Sequence, residues 1–294
     1  DGHITLILDS TQLVNFSMCP TYWNYSDCGR LQLTTAHARP AMKMGTFGHY
    51  LFEKYYKGIA NGYSKSKALE SAMDAIPHEF TDPLESDKVE IVRKRVIEYV
   101  YTYLNSDFEL TCSAGGIECG FTEKLYEDSK RLYILEGKID ILAAKSGSSV
   151  FVVDHKFQLS RKALYKKSIQ FRNYSMVANA TMLMINYVRL TQKVDATTYQ
   201  RDISTFTAQD HAQWKQSLIN KYDAIAEYLR FKDTRMDVGA EQYRNRSSCS
   251  GQYGALCPYI MLCDEPNAAI SKSMETTMYT IREAWKPWEN LEES

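Results

Sequence analysis

Three apolar segments that follow one another with short turns between them set the strongest limit on how this chain can fold. Ile117–Tyr126, Leu132–Ala143 and Val150–Phe157 each alternate or run apolar over the length of a strand. Residues 145–149, between the last two segments, read Lys-Ser-Gly-Ser-Ser, which is typical of a tight turn. The pattern predicts a meander of neighbouring antiparallel strands.

Segments with the apolar spacing of helices surround this meander. One is predicted at Thr11–Tyr25 with Ser10 as its N-cap, and others at residues 41–60, 65–77, 86–105, 163–184 and 210–231. A second strand pair is predicted at Tyr187–Gln192 and Thr198–Phe206. This order predicts an α/β fold with a mixed sheet flanked by helices.

The length of 294 residues suits one large domain or a domain with an added module. We expect one compact structural unit made of three regions. Residues 1–110 form an N-terminal helical region, residues 111–232 form the core with the sheet, and residues 233–294 form a C-terminal segment with clustered cysteines.

Composition excludes several classes of protein. Apolar residues make up 44% and charged residues 24%, as in ordinary globular domains. No apolar run approaches the ~20 residues of a membrane helix, and a net charge of −1 argues against a surface that is basic throughout. No secretory leader precedes the seven cysteines, so we expect a cytoplasmic (intracellular) protein with no membrane partner.

The last strand of the meander ends in three polar residues, Asp154, His155 and Lys156. Alternation along a strand directs Asp154 and Lys156 to one face and His155 to the other. A short antiparallel turn would bring Asp140 of the preceding strand beside Asp154. Paired carboxylates favour a hard divalent cation between them, Mg²⁺ or Mn²⁺. The alternative is a set of exposed charges on a hairpin.

The predicted helix that follows adds polar residues beside these acids. Gln170 and Tyr174 are four residues apart, which places them on one helix face. A local basic patch lies in the same stretch, and either a solvated helix face or a groove that follows DNA phosphates accounts for it. The predicted DNA-binding residues of this patch are Arg161, Lys162, Lys166, Lys167 and Arg172.

Four short motifs occur together in a characteristic order. They are G-x-x-x-H at Gly45–His49, G-x-x-D at Gly137–Asp140, D-x-K at Asp154–Lys156 and Q-x-x-x-Y at Gln170–Tyr174. This order, from about residue 10 to 265, resembles the RecB-like branch of the PD-(D/E)xK nuclease superfamily. One departure is that His155 and Phe157 flank the lysine where the family often has Tyr and Thr.

The resemblance implies a role for each matching residue. His49, Asp140, Asp154 and the backbone carbonyl of His155 would hold the divalent metal, Mg²⁺ or Mn²⁺. Asp140, Asp154, Lys156, Gln170 and Tyr174 would form the catalytic set, with Lys156 as the catalytic lysine and the last two facing the DNA backbone. For His49 alone, a core or surface histidine is the alternative.

Four of the cysteines form a separate group. Cys257 and Cys263 have the spacing C-x5-C, Cys249 lies eight residues before Cys257, and Cys19 lies far upstream. Four thiolates suit a zinc ion or an iron–sulfur cluster, and unligated thiols are the alternative. The arrangement resembles the [4Fe–4S] staple of AddB-type and CRISPR-associated RecB-like nucleases, which implies such a cluster joining the N- and C-terminal segments.

These features predict a metal-dependent DNA exonuclease that acts on ends or single strands, in recombination, repair or phage DNA processing. A nuclease that trims CRISPR spacer precursors is an alternative within the class. A non-catalytic DNA-end-binding subunit and a zinc-stabilised interaction module are alternatives from other classes. DNA is the predicted partner, and an oligomer or a helicase or recombination partner is compatible with the sequence.

Overall fold

The computed structural model describes residues 3–34, 40–75, 77, 80, 86–103, 114–144, 150–158, 168–232, 244–250, 256–265 and 267–286. The strands are β1 (Ile4–Leu8), β2 (Leu31–Leu33), β3 (Ile117–Glu127), β4 (Arg131–Ala144), β5 (Val150–Gln158), β6 (Met182–Arg189), β7 (Tyr199–Thr205) and β8 (Tyr279–Ile281). The α-helices are α1 (Ser10–Met18), α2 (Pro20–Trp23), α3 (Pro40–Ala60), α4 (Lys65–Asp74), α5 (Ser86–Tyr103), α6 (Ile169–Val177), α7 (Ala208–Lys232), α8 (Ile260–Asp264) and α9 (Ala268–Met278).

The chain divides into two compact units, each assembled from separate stretches of sequence. The first unit contains Asp1–His37, Thr122–Gly137 and Lys215–Ser294. The second unit contains Ala38–Phe121 and Lys138–Trp214. Among the residues described here, no helix is both long enough and apolar enough to cross a membrane.

The main sheet is mixed, which confirms the predicted α/β class. Its strands follow the order β1-β4-β5-β6-β7, and β3 pairs with β4 outside this path. Strand β4 runs antiparallel to β5, with Ile141 opposite Val153. Strand β5 runs parallel to β6, and β6 antiparallel to β7.

Strand β5 lies between two layers of helices in the second unit, because both of its faces are apolar. Val153 belongs to a core cluster with residues of α3, α4 and α5, including Phe47 and Leu51. Val152 belongs to a different cluster, which includes Phe171 of α6. A strand covered on both faces is expected to be apolar along most of its length. This burial fixes the position of the polar residues Asp154, His155 and Lys156 that follow.

Some predicted boundaries are wrong, and local backbone chemistry explains the differences. The N-cap of α1 is Asp9, not Ser10: its carboxylate accepts from the Gln12 amide at 2.8 Å, while the Gln12 side chain accepts from the Asp9 amide at 3.0 Å. This reciprocal capping box satisfies two amides. The helix predicted at 163–184 ends at Val177, because Asn179 has a left-handed φ of 47° that stops it.

The first unit contains a small two-stranded sheet and the part of helix α7 from Lys215 onward. Strand β2 pairs antiparallel with β8, so residues near both ends of the chain meet there. In α7, the Tyr222 hydroxyl donates to the Ile134 carbonyl at 2.6 Å, and it also lies 3.3 Å from the Leu8 carbonyl. These contacts fix α7 against the paired strands β1 and β4.

Candidate metal centre

Asp140 of β4 and Asp154 of β5 each lie one position beyond the Ile141–Val153 pair, where the two strands run antiparallel. The backbone N–H of His155 donates to Asp140 Oδ2 at 2.7 Å, which fixes the orientation of that carboxylate. Burial raises the pKa of Asp154 to about 7; Lys156 opposes this rise and the nearby charge of Asp140 adds to it.

Lys156 lies on the same face of β5 as Asp154 and pairs with it. Its Nζ is 2.8 Å from Asp154 Oδ2 and 3.1 Å from Oδ1. The ammonium also lies 5.2 Å from the centre of the Phe171 ring on α6. Because Asp154 is completely buried and Lys156 is 19% exposed, the lysine connects the buried acid to the surface.

His155 points to the opposite face, as alternation along a strand requires. Its imidazole is buried and stacks on Phe52, with ring centroids 4.2 Å apart, and on Tyr56 at 5.6 Å. Burial lowers its pKa to about 3, so the ring is neutral at physiological pH. Its contribution to the opposite face is therefore limited to its backbone.

His49 on α3 lies beside Asp140 and a third acid, Glu118. Its Nδ1 is 3.2 Å from Asp140 Oδ2 and 3.8 Å from Glu118 Oε1. One potential ligand atom from each of His49, Glu118 and Asp140 falls within 4.8 Å of the others. Within the described ranges this is the one such three-residue group of His, Cys, Asp and Glu side chains. One nitrogen and two carboxylate oxygens suit a divalent cation.

Glu118 was not predicted from the sequence. It is the second residue of β3, and its φ of 50° is in the left-handed region, which costs a non-glycine residue roughly 1–2 kcal/mol. The preceding Gly116 leaves no room for a side chain, because a Cβ there would lie 2.7 Å from the Leu142 carbonyl oxygen. The Gly-Gly pair before an acid, next to the G-x-x-D strand, was the available signal.

Each of the three acids Glu118, Asp140 and Asp154 has a basic neighbour. Lys138 Nζ lies 2.9 Å from Glu118 Oε2, His49 lies beside Asp140, and Lys156 lies beside Asp154. Burial lowers the pKa of His49, but the charge and hydrogen bond of Asp140 outweigh it and raise the value to about 9. Burial and Asp140 raise the pKa of Glu118 to about 7, against the opposing effects of His49 and Lys138.

Helix α6 places Gln170 and Tyr174 together. Gln170 Nε2 donates to the Tyr174 hydroxyl at 2.8 Å. Burial raises the pKa of Tyr174 well above its ordinary value, and the charges of Asp154 and Asp140 add to the rise. The hydroxyl therefore keeps its proton and remains a hydrogen-bond donor. Ser168 caps the helix by accepting from the Phe171 amide at 3.4 Å.

The predicted basic patch lies mostly outside the described residues. Arg161, Lys162, Lys166 and Lys167 fall in the range 159–167, of which nothing is described. Arg172 is described: its guanidinium lies 4.1 Å from the centre of the Trp214 ring, a cation–π contact. The DNA-binding role of this patch remains a prediction.

The four predicted cluster cysteines line one cavity of the first unit. They are Cys19, Cys249, Cys257 and Cys263. The Cys257 amide donates to the Cys249 carbonyl at 2.8 Å, and the Asn245 amide lies 3.5 Å from Cys19 Sγ. Burial raises the pKa of Cys263 to about 11, and Asp264, Cys19 and Cys249 add to the rise. Cys28 is exposed, Cys119 belongs to the second unit, and Cys112 lies outside the described residues.

Comparison with known proteins assigns no family to the chain. No family model matches, and no curated protein matches. Solved structures that resemble the chain include a protein named SSO0001 (13% identity, 74% of this chain and 76% of that one, TM-score 0.35). They also include a protein from Eubacterium rectale whose name reads "Putative exonuclease" (13% identity, 78% and 82%, TM-score 0.43). Likeness at this level assigns no function.

The position of His49 depends on a close approach of α3 to β5 at Gly48. A Cβ at Gly48 would lie 2.5 Å from the Phe157 ring. We expect Gly48→Ala to lower the free energy of unfolding by about 1–2 kcal/mol, because overpacking costs more than the added helix propensity returns. Urea denaturation measures the change.

Two further variants test the cause. Phe157→Leu in the Gly48→Ala background is expected to restore part of the lost stability, because it removes the ring that the new methyl group meets. Gly45→Ala is the matched control: a Cβ there meets nothing within 4 Å, so this change is expected to stabilise the helix by about 0.5–1 kcal/mol. Equal losses for Gly45→Ala and Gly48→Ala would contradict the proposed contact.

Proposed function

We propose that this chain is a metal-dependent deoxyribonuclease of the RecB-like PD-(D/E)xK type, which hydrolyses phosphodiester bonds at DNA ends or on single strands. The proposal depends on two sets of side chains. His49, Glu118 and Asp140 form a three-residue ligand group, and Asp154 forms an ion pair with Lys156 on β5.

The donor set fits Mg²⁺ or Mn²⁺. His49, Glu118 and Asp140 would hold the ion from one side, and Asp154 and the backbone carbonyl of His155 would hold it from β5. Carboxylate oxygens suit both metals, and an imidazole nitrogen is acceptable to Mn²⁺ in particular. The bound ion would supply Lewis-acid polarisation of the phosphate and lower the pKa of a coordinated water.

The residues around this group have separate tasks in the proposed hydrolysis. Water must lose a proton, attack phosphorus and displace the sugar oxygen, which takes up a proton. Lys156, whose Nζ lies 2.8 Å from Asp154 and is partly exposed, would orient the water or neutralise charge on the phosphate. Tyr174 and Gln170 would donate hydrogen bonds to the DNA backbone, since the hydroxyl of Tyr174 stays protonated.

The test is nuclease activity of purified wild type and Asp154→Ala on end-labelled single- and double-stranded DNA. We expect wild type to cleave with Mn²⁺ or Mg²⁺ and to stop with EDTA. Asp154→Ala is expected to lose about 10²–10³-fold in rate, because it removes a proposed ligand and the partner of Lys156.

Asp74→Ala is the matched control for this assay. Asp74 is an exposed aspartate at the end of α4, so its loss removes one negative charge without changing the metal centre. Its activity is expected to equal that of wild type. Equal cleavage by wild type and Asp154→Ala, or no cleavage with any metal, would contradict the proposal and favour a non-catalytic DNA-end-binding protein.

We also propose that Cys19, Cys249, Cys257 and Cys263 hold a [4Fe–4S] cluster. The four residues line one cavity of the first unit, although Cys19 lies 230 residues before Cys249 in the sequence. Four thiolates suit either a tetrahedral zinc ion or an iron–sulfur cluster. The order of the cysteines, one far upstream and three near the end, resembles that of iron–sulfur RecB-like nucleases and therefore favours the cluster.

The cluster proposal is tested by iron and sulfide analysis and by the visible absorption spectrum of anaerobically purified protein. Wild type is expected to be brown with iron and sulfide in equal amounts, and Cys19→Ala to lose both. Cys28→Ala is the matched control, because Cys28 is exposed and lies outside the cavity lining. A colourless protein that contains zinc, or one with no metal, would contradict the proposal.

A further inference from the structure

A buried polar pair lies on the reverse face of β5, away from the candidate metal centre. His155 of β5 is opposite Asn186 of β6 in the parallel register. Both residues are only 1% exposed. Asn186 Nδ2 lies 3.4 Å from His155 Nδ1, the one side-chain hydrogen bond of this imidazole among the described residues. The contact is long, and Nδ1 is its acceptor because an amide nitrogen can only donate.

Burying this polar pair costs free energy of folding, because two of its polar atoms lack hydrogen bonds in the region that the structure describes. His155 Nε2 and Asn186 Oδ1 have no hydrogen-bond partner in the described part of the chain. The surroundings are aromatic, since Phe52 and Tyr56 stack on the imidazole and Tyr99 lies edge-on at 6.1 Å. Two apolar side chains would fill this place without leaving polar atoms unpaired. The polar pair is therefore expected to provide something other than stability.

The apolar pattern alone does not define how β5 pairs with β6. Residues 151–153 of β5 and residues 183–185 of β6 are buried on both faces. A shift of two residues that brings Asn186 opposite Val153 would keep each side chain on its face and pair residues 183–185 with the apolar residues 150–152. The opposite shift is disfavoured by the apolar pattern itself, because it places Leu183 and Ile185 opposite Asp154 and Lys156. Of the two registers that pair apolar with apolar, only the observed one gives the buried amide a polar neighbour.

The register of β5 decides the geometry on the other face. Asp154 and Lys156 flank His155 in sequence, so they move with it. The backbone N–H of His155 donates to Asp140 Oδ2 at 2.7 Å. A rotation or shift of His155 would therefore release the carboxylate that lies 3.2 Å from His49.

We propose that Asn186 is a positioning residue: by holding the imidazole of His155, it fixes β5 in register and keeps the His155 amide on the carboxylate of Asp140. The consequence for metal binding rests on the proposed function. The link between Asn186 and the His155 amide does not, because it concerns the metal-free protein.

The experiment uses the full chain with Asn186→Leu, His155→Phe and the double variant. His155→Phe keeps an aromatic ring against Phe52 but removes the nitrogen that accepts from Asn186. Met184→Ala is the control, because Met184 is a buried residue on the same strand, two positions away, without a polar role. Thermal unfolding records the stability of each variant.

The first readout is independent of metal and of activity. In metal-free protein with ¹⁵N-labelled histidine, the His155 amide proton is expected downfield because it binds a carboxylate. It is expected to move upfield in Asn186→Leu and to stay in place in Met184→Ala. An unchanged His155 amide in Asn186→Leu would overturn the proposal.

The second readout is Mn²⁺ affinity, measured by electron paramagnetic resonance titration. Asn186→Leu and His155→Phe are each expected to lower the affinity about 10–100-fold, and the double variant to lower it no further, since both act through one contact. Met184→Ala is expected to bind as wild type does even where its melting temperature falls. Additive losses, or wild-type affinity in Asn186→Leu, would overturn the proposal. If wild type bound no Mn²⁺, the proposed function would fail, while the amide shift would still decide the role of Asn186.

Discussion

Three carboxylates in the second unit are largely removed from water, and each lies beside a base. Asp154 is completely buried, and Glu118 and Asp140 are only 11% and 12% exposed. Without positively charged partners, burial and mutual repulsion would raise the pKa of each carboxyl group and lower the free energy of unfolding. Lys138, His49 and Lys156 provide one positive partner for each acid. The rest of the second unit is arranged so that these six side chains converge.

Three elements bring these six side chains together, and each element is positioned by a different packing contact. Helix α3 approaches β5 because Gly48 has no side chain against the Phe157 ring. Strand β3 approaches β4 because Gly116 has no side chain against the Leu142 carbonyl. Strand β5 is held between two apolar layers, which fix the position of Asp154 and Lys156. The left-handed backbone of Glu118 is the local strain that this arrangement tolerates.

The sequence predicted the parts of this centre that follow from strand periodicity. Asp140 and Asp154 could be expected close together because a short turn between two strands limits their register. Alternation along the strand placed His155 on the face opposite to Lys156. Glu118 could not be found in that way, because its place depends on β3 pairing with β4 and on a left-handed φ. The helix boundary near Val177 was missed because the apolar run of β6 is equally compatible with a helix.

The proposed function requires that His49, Glu118 and Asp140 bind one divalent cation. Anomalous diffraction from a crystal of the wild-type chain soaked in Mn²⁺ tests it most directly. We expect one strong anomalous peak about 2.0–2.3 Å from a nitrogen of His49 and from carboxylate oxygens of Glu118 and Asp140. A peak bound elsewhere, or no peak at these three residues, would contradict it.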